Sequence, residues 1–391
     1  MIGSAHAQGG GTLEWLKTRL VIIGAGLAAM TAALTAQEKI NDIVLLDKGK
    51  IFASGSTFRN RNNCWGITYA VDDQEKELLL AAIRQISRGT NSPSLSRILV
   101  EESYDAFRQL RHWGAAFHRD PQGSIKRLHP CFCPHPLAAV ITSTGQVHRS
   151  LAKRLARPGI RLLQKTAATA LLLDGDHIAG LIARSGKHEI KISCQAIILA
   201  CGGGAATFPH HIVEPGLTGD GYQLLHDLGI PLHNMEYRQS VWEDVSPALP
   251  RFQLGYFADG KHRFIDANNH EIPIPPPTSP LTRSRLTHVP ISNLQVDREF
   301  DAPLLAASAT SPIKVVRKAS GMLVNHILPH VQACNGGVLI SEHGETGVGG
   351  LFAAGEITTG MHGGDRIGGM MITNCLVYGR RAAAAALRYL S

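Results

Sequence analysis

"RLVIIGAGLAAMTAALTAQ" (Arg19–Gln37), followed after three residues by "NDIVLLDKGK" (Asn41–Lys50), decides how the chain folds. Leu20–Ile23 is a short apolar run that reads as a buried strand. The glycines after it read as a turn, the alanine-rich stretch as a helix, and the next apolar run, ending in Asp47, as a second buried strand. Parallel strands need a crossover of this kind, so the segment is a βαβ unit. Gly24-Ala-Gly26-Leu-Ala-Ala29 lies where strand gives way to helix, and Asp47 follows Gly24 by 23 residues. Gly24 permits a tight turn, Gly26 lets the backbone approach a pyrophosphate, and Ala29 allows the helix to sit close on the strand. The helix N-terminus supplies N–H groups, and Asp47 can accept from a ribose hydroxyl. A glycine turn can also join strand to helix for packing alone; strand, helix and acid together favour a dinucleotide. The turn by itself does not separate FAD from NAD.

The remaining composition narrows the class. A chain of 391 residues, 44% hydrophobic and only 6% aromatic with 40 glycines, fits α/β layers of one interrupted domain or of two or three domains. The net charge of +8 is scattered, with short clusters at Arg59–Arg61, Lys153–Arg154 and Arg380–Arg381. None is interleaved with aromatics as single-strand binding requires, so nucleic acid is set aside and steering of a small anion fits. Seven widely spaced cysteines (Cys64, Cys131, Cys133, Cys194, Cys201, Cys334, Cys375) match reduced thiols and a cytoplasmic setting better than a disulfide framework. The N-terminus lacks a secretory h-region, and residues 1–18 read as a flexible leader. The apolar run Val21–Ala36 could suggest a membrane span, but glycines and alanines fill it and no second span follows, so no transmembrane segment is expected.

Apolar spacing predicts helices over Gln74–Ser87, Leu95–Trp113 and Arg149–Ala156. From Ile160 to Ala200 the pattern reads as an antiparallel meander broken at "DGD" and "SGKHE", returning to a buried strand, Ala196–Ala200. Between about Val241 and Leu323 prolines cluster ("IPIPPPTSP") and periodicity weakens, which reads as an insertion with little regular structure. The expected fold is α/β: a Rossmann dinucleotide-binding domain formed by residues 19–235 and 330–391, interrupted by an insertion at 236–329. No internal repeat is visible.

A resemblance to a known family goes further. "VIIGAGLAAMTAAL", "DKGKIFASGST", "NNCWGITYA", "ILACGGGAATFP" and "LTGDGYQLLHDLGIPLHNMEYRQ" stand in the order they take in the flavoprotein family of fumarate reductase, succinate dehydrogenase and L-aspartate oxidase. The last and longest match is "CNGGVLISEHGETGVGGLFAAGEITTGMHGGDRIGGMMITNCLVYGRRAA". The chain resembles that family over most of residues 19–240 and 334–386. The resemblance implies a glutathione-reductase-like Rossmann FAD-binding domain, with the insertion as a shortened α+β capping domain over the active site and the C-terminal glycine run returning to the flavin. By position it assigns cofactor binding to Gly24, Gly26, Ala29, Asp47, Lys48, Ser56, Thr57, Gly66, Ala168, Gly202, Asp220, Glu356, Met371 and Ile372. One branch of the family carries a flavin-bonded His in the loop after Asp47; no His stands between Gly55 and Gly66 here, so FAD is expected to be non-covalent.

The resemblance also implies that Arg366 grips a substrate carboxylate, which the planar guanidinium fork does better than a lysine. A surface arginine, or one paired with Asp365, is the bland alternative. His362 could donate to a carboxylate or satisfy loop backbone. Two departures stand out. Gln332 occupies the place of a family His, with His330 two residues earlier, and no Arg-Asp-x-x-x-Arg-like motif lies between Val241 and Leu323. Arg283, Arg285 and Arg298 are candidates for proton delivery, or simply solvated side chains. His129-Pro-Cys131-Phe-Cys133-Pro-His135 is dense enough to suggest a metal, but Cys-x-Cys is tight and no second pair exists, so no metal is expected and a loop of reduced thiols is the alternative. "GxSxG" is absent, and "GYFADGKH" (Gly255–His262) lacks the Ser or Thr of a P-loop. The reading is a flavin-dependent oxidoreductase, acting on CH–CH or CH–NH groups of a small carboxylate-bearing substrate, with an electron-transfer protein or quinone as partner. The rival is an electron-relay flavin subunit serving a protein partner.

Overall fold

The computed structural model describes residues 3–6, 12–51, 54–58, 65–246 and 251–391. Cys64, the Arg59–Arg61 cluster and the start of "NNCWGITYA" lie outside the described residues. The chain divides into two units: residues 1–207, 213–237 and 334–391 form the larger, and residues 208–212 and 238–333 the smaller.

The larger unit is built on a five-stranded sheet in the order Leu351–Ala353, Ala196–Leu199, Leu20–Ile23, Ile43–Asp47, Ile160–Gln164, all pairs parallel. Leu20–Ile23 and Ala196–Leu199 are buried throughout, as a strand covered on both faces must be. Ile160–Gln164 joins this sheet rather than the meander to which its sequence was assigned; it is half-exposed because it is the edge. A common strand direction puts five C-terminal ends on one rim. Gly24, Lys48, Cys201 and Gly355 all fall there, the place where open parallel sheets bind ligands.

Two helices bring the ends of the sequence together. The first, Leu27–Gln37, and the last, Met370–Leu390, touch where a Cβ on Gly379 would meet the Ala28 carbonyl oxygen at 2.9 Å and Thr31 Cβ at 3.0 Å. Gly379→Ala raises helix propensity by about 1 kcal/mol, yet overpacking costs typically about 1–3 kcal/mol. A lower melting temperature is therefore expected, measurable by calorimetry; a rise would show that the two helices can yield at this point.

The meander is Ala167–Asp174, His177–Ser185 and His188–Ser193, antiparallel in sequence order. Thr12–Lys17, within the stretch read as a leader, extends it as a strand parallel to His188–Ser193. Leu16 is buried while Trp15 is exposed, and adjoining glycines mask this short strand in the sequence. The helix expected over Leu95–Trp113 is two, Pro93–Glu101 and Ser103–His112. Ser103 Oγ donates to the Val100 carbonyl and accepts from the Ala70 amide, a local competition that breaks helices. Asp73–Ile86 and Thr144–Leu155 are the other helices of this region, capped by Asp72 and Ser143.

The smaller unit corrects the expectation of little regular structure. It holds a six-stranded sheet in the order Glu271–Ile272, His262–Ile265, Ile313–Arg317, Leu323–Cys334, Arg238–Asp244, Pro290–Ile291, and helices Pro280–Arg285 and Gln295–Ser308. Trp242, Phe257, Phe264, Phe300 and Leu304 form its core. Most of these strands are too short to show a period, and Pro280 starts a helix rather than breaking one.

Candidate functional site

The rim of the parallel sheet gathers most of the expected cofactor residues. Gly24 has φ +112°, and a Cβ there would lie 2.4 Å from the Ala200 carbonyl oxygen; only glycine fits. Gly26 caps the first helix at φ −75° with no side-chain cap and no acid in the first turn. Nothing lies within 4 Å of where its Cβ would stand, so a cradle beside bare helix N–H groups is open to a phosphate. Ala29 is fully buried in that helix. Gly55 presses on the turn, its would-be Cβ 3.0 Å from Gly26 Cα. Beside it, the Ser56 hydroxyl accepts from the Glu214 amide at 3.3 Å, and Thr57 follows.

Asp47 Oδ1 accepts from the Gly49 amide at 2.7 Å, which fixes the carboxylate at the strand end. Lys48 Nζ lies 2.5 Å from Asp220 Oδ2 and 2.5 Å from Thr218 Oγ1. Asp220 opens a helix, and hydrogen bonds from Lys48 and Thr218 outweigh its partial burial and hold its carboxyl below the usual range. Ala168 pairs with Ala183 in the meander, and Gly202 (φ +79°) faces Leu217.

The C-terminal run supplies the rest. Glu356 Oε1 accepts from the Cys334 amide at 3.1 Å, and a Cβ on Gly203 would meet that oxygen at 2.9 Å. Gly203 is thus a site residue the sequence reading missed, although the triple glycine after Cys201 was its signal. Burial raises the Glu356 carboxyl, with the Arg366 charge opposing; burial likewise pulls Arg366 down, with Glu356 opposing. Both side chains are half-buried, and their opposite charges act on each other. Asp365, the alternative partner considered for Arg366, is fully buried.

Gly369, at φ +80°, caps the last helix without a side chain or a nearby acid. The Ile372 and Thr373 amides return to the Gly369 carbonyl, so of the expected pair Ile372 is spent locally. Met371 makes no such main-chain bond among the described residues. Gly66 starts a strand paired to Ala138–Val140, and its neighbour Thr68 binds the helix start through the Gly368 carbonyl and the Thr373 hydroxyl.

His362 Nε2, Asn335 Oδ1 and Asn374 Oδ1 are buried and have no hydrogen-bond partner among the described residues. Asn374 is fully buried and its amide reaches only the sulfurs of Met361 and Met371. Such atoms cost roughly 1–3 kcal/mol each unless a ligand meets them. Together with the open space at Gly26 and the uncapped helix starts, they fit a bound FAD. Asn335 and Asn374 went unread in the sequence, though a lone Asn on the apolar face of "MMITNCLVYG" is a visible signal.

Burial, reinforced by the Arg366 charge, brings His362 down to about 3. It is therefore neutral at ordinary pH. A depressed folded pKa means stability that is whole above the unfolded value and lost as pH falls toward the folded one. The expected loss between pH 6.5 and about 5 is roughly 2 kcal/mol, checked by urea melts at both pH values; the slope should shrink in His362→Asn.

The remaining candidates belong to the smaller unit. Arg285 is fully buried, its Nε 2.7 Å from Asp301 Oδ2, with Nη1 donating to the His288 carbonyl and its guanidinium over Phe257. It is a buried core ion pair rather than a solvated side chain. Arg283 and Arg298 are exposed. His330 Nδ1 bonds the Leu328 carbonyl at 3.0 Å. In the larger unit, the Cys131 loop approaches Gly368. No group of three His, Cys, Asp or Glu side chains among the described residues could hold a metal, and no described helix is long and apolar enough to cross a membrane.

Comparison with known proteins agrees with this geometry. One polypeptide of the fumarate reductase (CoM/CoB) of Methanothermobacter marburgensis is 25% identical over 96% of this chain and 73% of its own length. L-aspartate oxidase of Bacillus subtilis is 24% identical over 94% of this chain and 71% of its own. Among solved structures, the Sdh1 complex of Mycobacterium smegmatis superposes with a TM-score of 0.77 at 22% identity, covering 96% of this chain and 69% of that one. E. coli quinol fumarate reductase FrdA, carrying a mutation, gives 0.73 at 19% identity, covering 96% and 71%. The family described as FAD binding domain matches residues 19–246 and 283–372; the chain belongs to that family, and is an FAD-dependent oxidoreductase among the relatives of fumarate reductase and L-aspartate oxidase.

Proposed function

We propose that this protein moves a hydride between the flavin and a carbon of a small carboxylate-bearing molecule, which Arg366 anchors. The observation that carries this reading is a half-buried guanidinium, within the field of Glu356, in a glycine run three residues before Gly369, the cap of the last helix. When bound, FAD supplies hydride chemistry at its N5 position. The chain's residues orient and shield. Gly26 and the first helix start would hold the diphosphate, Asp47 and Lys48 the adenosine side, and Asp220 and Glu356 the flavin side, with Glu356 taking ribityl hydroxyls. The start of the last helix, with Met371, would offer N–H groups to an electron-rich flavin oxygen. Without a His in the loop after Asp47 the cofactor is held non-covalently.

Arg366 grips the carboxylate bidentately. His362, kept neutral, offers one donor or acceptor to the substrate or flavin and carries no net charge into the site. Arg285, ion-paired to Asp301, is given no part in this reading. The reaction is placed in the cytoplasm, with a quinone or an electron-transfer protein completing the electron circuit.

The test is anaerobic titration of the yellow protein with fumarate, succinate, aspartate and related acids. A saturable flavin spectral change that Arg366→Ala removes supports the reading. A spectrum indifferent to every acid, while a quinone or partner protein reoxidises the reduced flavin, would establish the electron-relay role instead.

A further inference from the structure

Cys131 and Cys133 stand one residue apart in a turn to which the proposed reaction gives no part. The Cys133 amide donates to the Pro130 carbonyl at 3.1 Å, closing a reverse turn. Phe132 sits at its third position with φ +67°, the left-handed conformation of a type II turn that bulky residues seldom adopt. Pro130 and Pro134 stiffen both flanks. Two Cα atoms one residue apart can separate by at most about 7 Å. A turn draws them into the roughly 4.4–6.8 Å range that a disulfide spans.

The turn is seated on the candidate site. The Gly368 amide donates to the Cys131 carbonyl at 3.1 Å, and a Cβ on Gly368 would meet the Cys131 nitrogen at 3.0 Å. Gly368 lies two residues after Arg366 and just before Gly369, the cap of the last helix. The two thiols also differ. Cys133 is buried, and burial pushes its thiol up against an opposing contact from the His135 amide. Cys131 is only half-buried, so it is the sulfur that an exchange partner reaches first.

We propose that Cys131 and Cys133 are a redox-active dithiol that exchanges two electrons with the FAD of this protein. On oxidation both S–H bonds break and one S–S bond forms. The two electrons and two protons released are those that take oxidised FAD to its two-electron-reduced form, and the reverse exchange restores the thiols. The inference rests on the reading that places the flavin ring along the C-terminal glycine run.

Protein oxidised with glutathione disulfide, desalted and titrated anaerobically with dithionite should consume about four electrons per flavin, against about two in Cys131→Ser and Cys133→Ser. Thiols counted in denaturant should fall by about two on oxidation of the parent relative to either variant. Should the buried Cys133→Ser fail to fold, Cys131→Ser alone carries the comparison. A yellow parent protein that takes up only two electrons overturns this inference and leaves the FAD site standing. Uptake that is equal in parent and variants does the same. A protein that binds no FAD overturns both readings together.

Discussion

Gly24→Val is expected to yield a chain with less than about a tenth of the parent's FAD and a clearly lower melting temperature. Gly24 holds φ +112°, and its Cβ would stand 2.4 Å from the Ala200 carbonyl oxygen and 2.9 Å from Cys201 Cα. Backbone strain at such an angle costs about 1–3 kcal/mol. Forcing the neighbouring strand end aside adds about 1–3 kcal/mol more. That displacement falls on the rim proposed to hold the phosphates, so stability and affinity should drop together. Gly26→Ala makes the contrast. Its φ is −75° and no atom lies within 4 Å of the new methyl, so the fold should keep its stability to within about 0.5 kcal/mol. Affinity should still fall, because the methyl occupies the ligand's space. Flavin absorbance per chain, set beside calorimetry, separates the two effects. If Gly26→Ala binds FAD as tightly as the parent, the pyrophosphate does not pass over this turn.

Arg366→Ala should lower kcat/KM on the carboxylate substrate by roughly 10²–10³-fold, the loss of a bidentate, charge-assisted pair at a half-buried guanidinium. Arg366→Lys keeps the charge without the fork and should recover only part of this. The arginine also opposes the burial that raises Glu356; removing it pushes Glu356 further toward its neutral form. A modest loss of FAD is therefore expected as well. The split is informative. If the variant keeps its flavin, a fall in kcat/KM reports substrate anchoring. If the variant keeps both flavin and turnover, Arg366 serves only as the counter-ion of Glu356.

The sequence made the parallel sheet and its first turn legible because a strand buried on both faces and a glycine turn each leave a local pattern. The Gly24–Ala29 stretch and Asp47 needed nothing from the rest of the chain to be read. Arg366 and Glu356 were found only through a long motif. Their coupling depends on how the fold buries both, so no spacing rule reveals it. Arg285 shows the limit from the other side. By composition it looked like a solvated cation, and only the packing of Phe257, Asp301 and Trp242 around it makes it a core residue. Thr12–Lys17 was obscured by neighbouring glycines, and the strands of the smaller unit by their brevity. Gly203 and Asn374 were visible as residue types but took meaning from what lies against them.

Glycine turns from opposite ends of the chain, joined through the first and last helices, are proposed to hold one FAD. This arrangement is tested most directly by measuring the FAD dissociation constant of the parent, Gly26→Ala and Glu356→Gln by flavin fluorescence. The account expects about one FAD per chain, released intact on acid precipitation, and weaker binding in both variants. A parent that stays colourless when FAD is added, or a yellow protein whose affinity ignores either end of the chain, would contradict it.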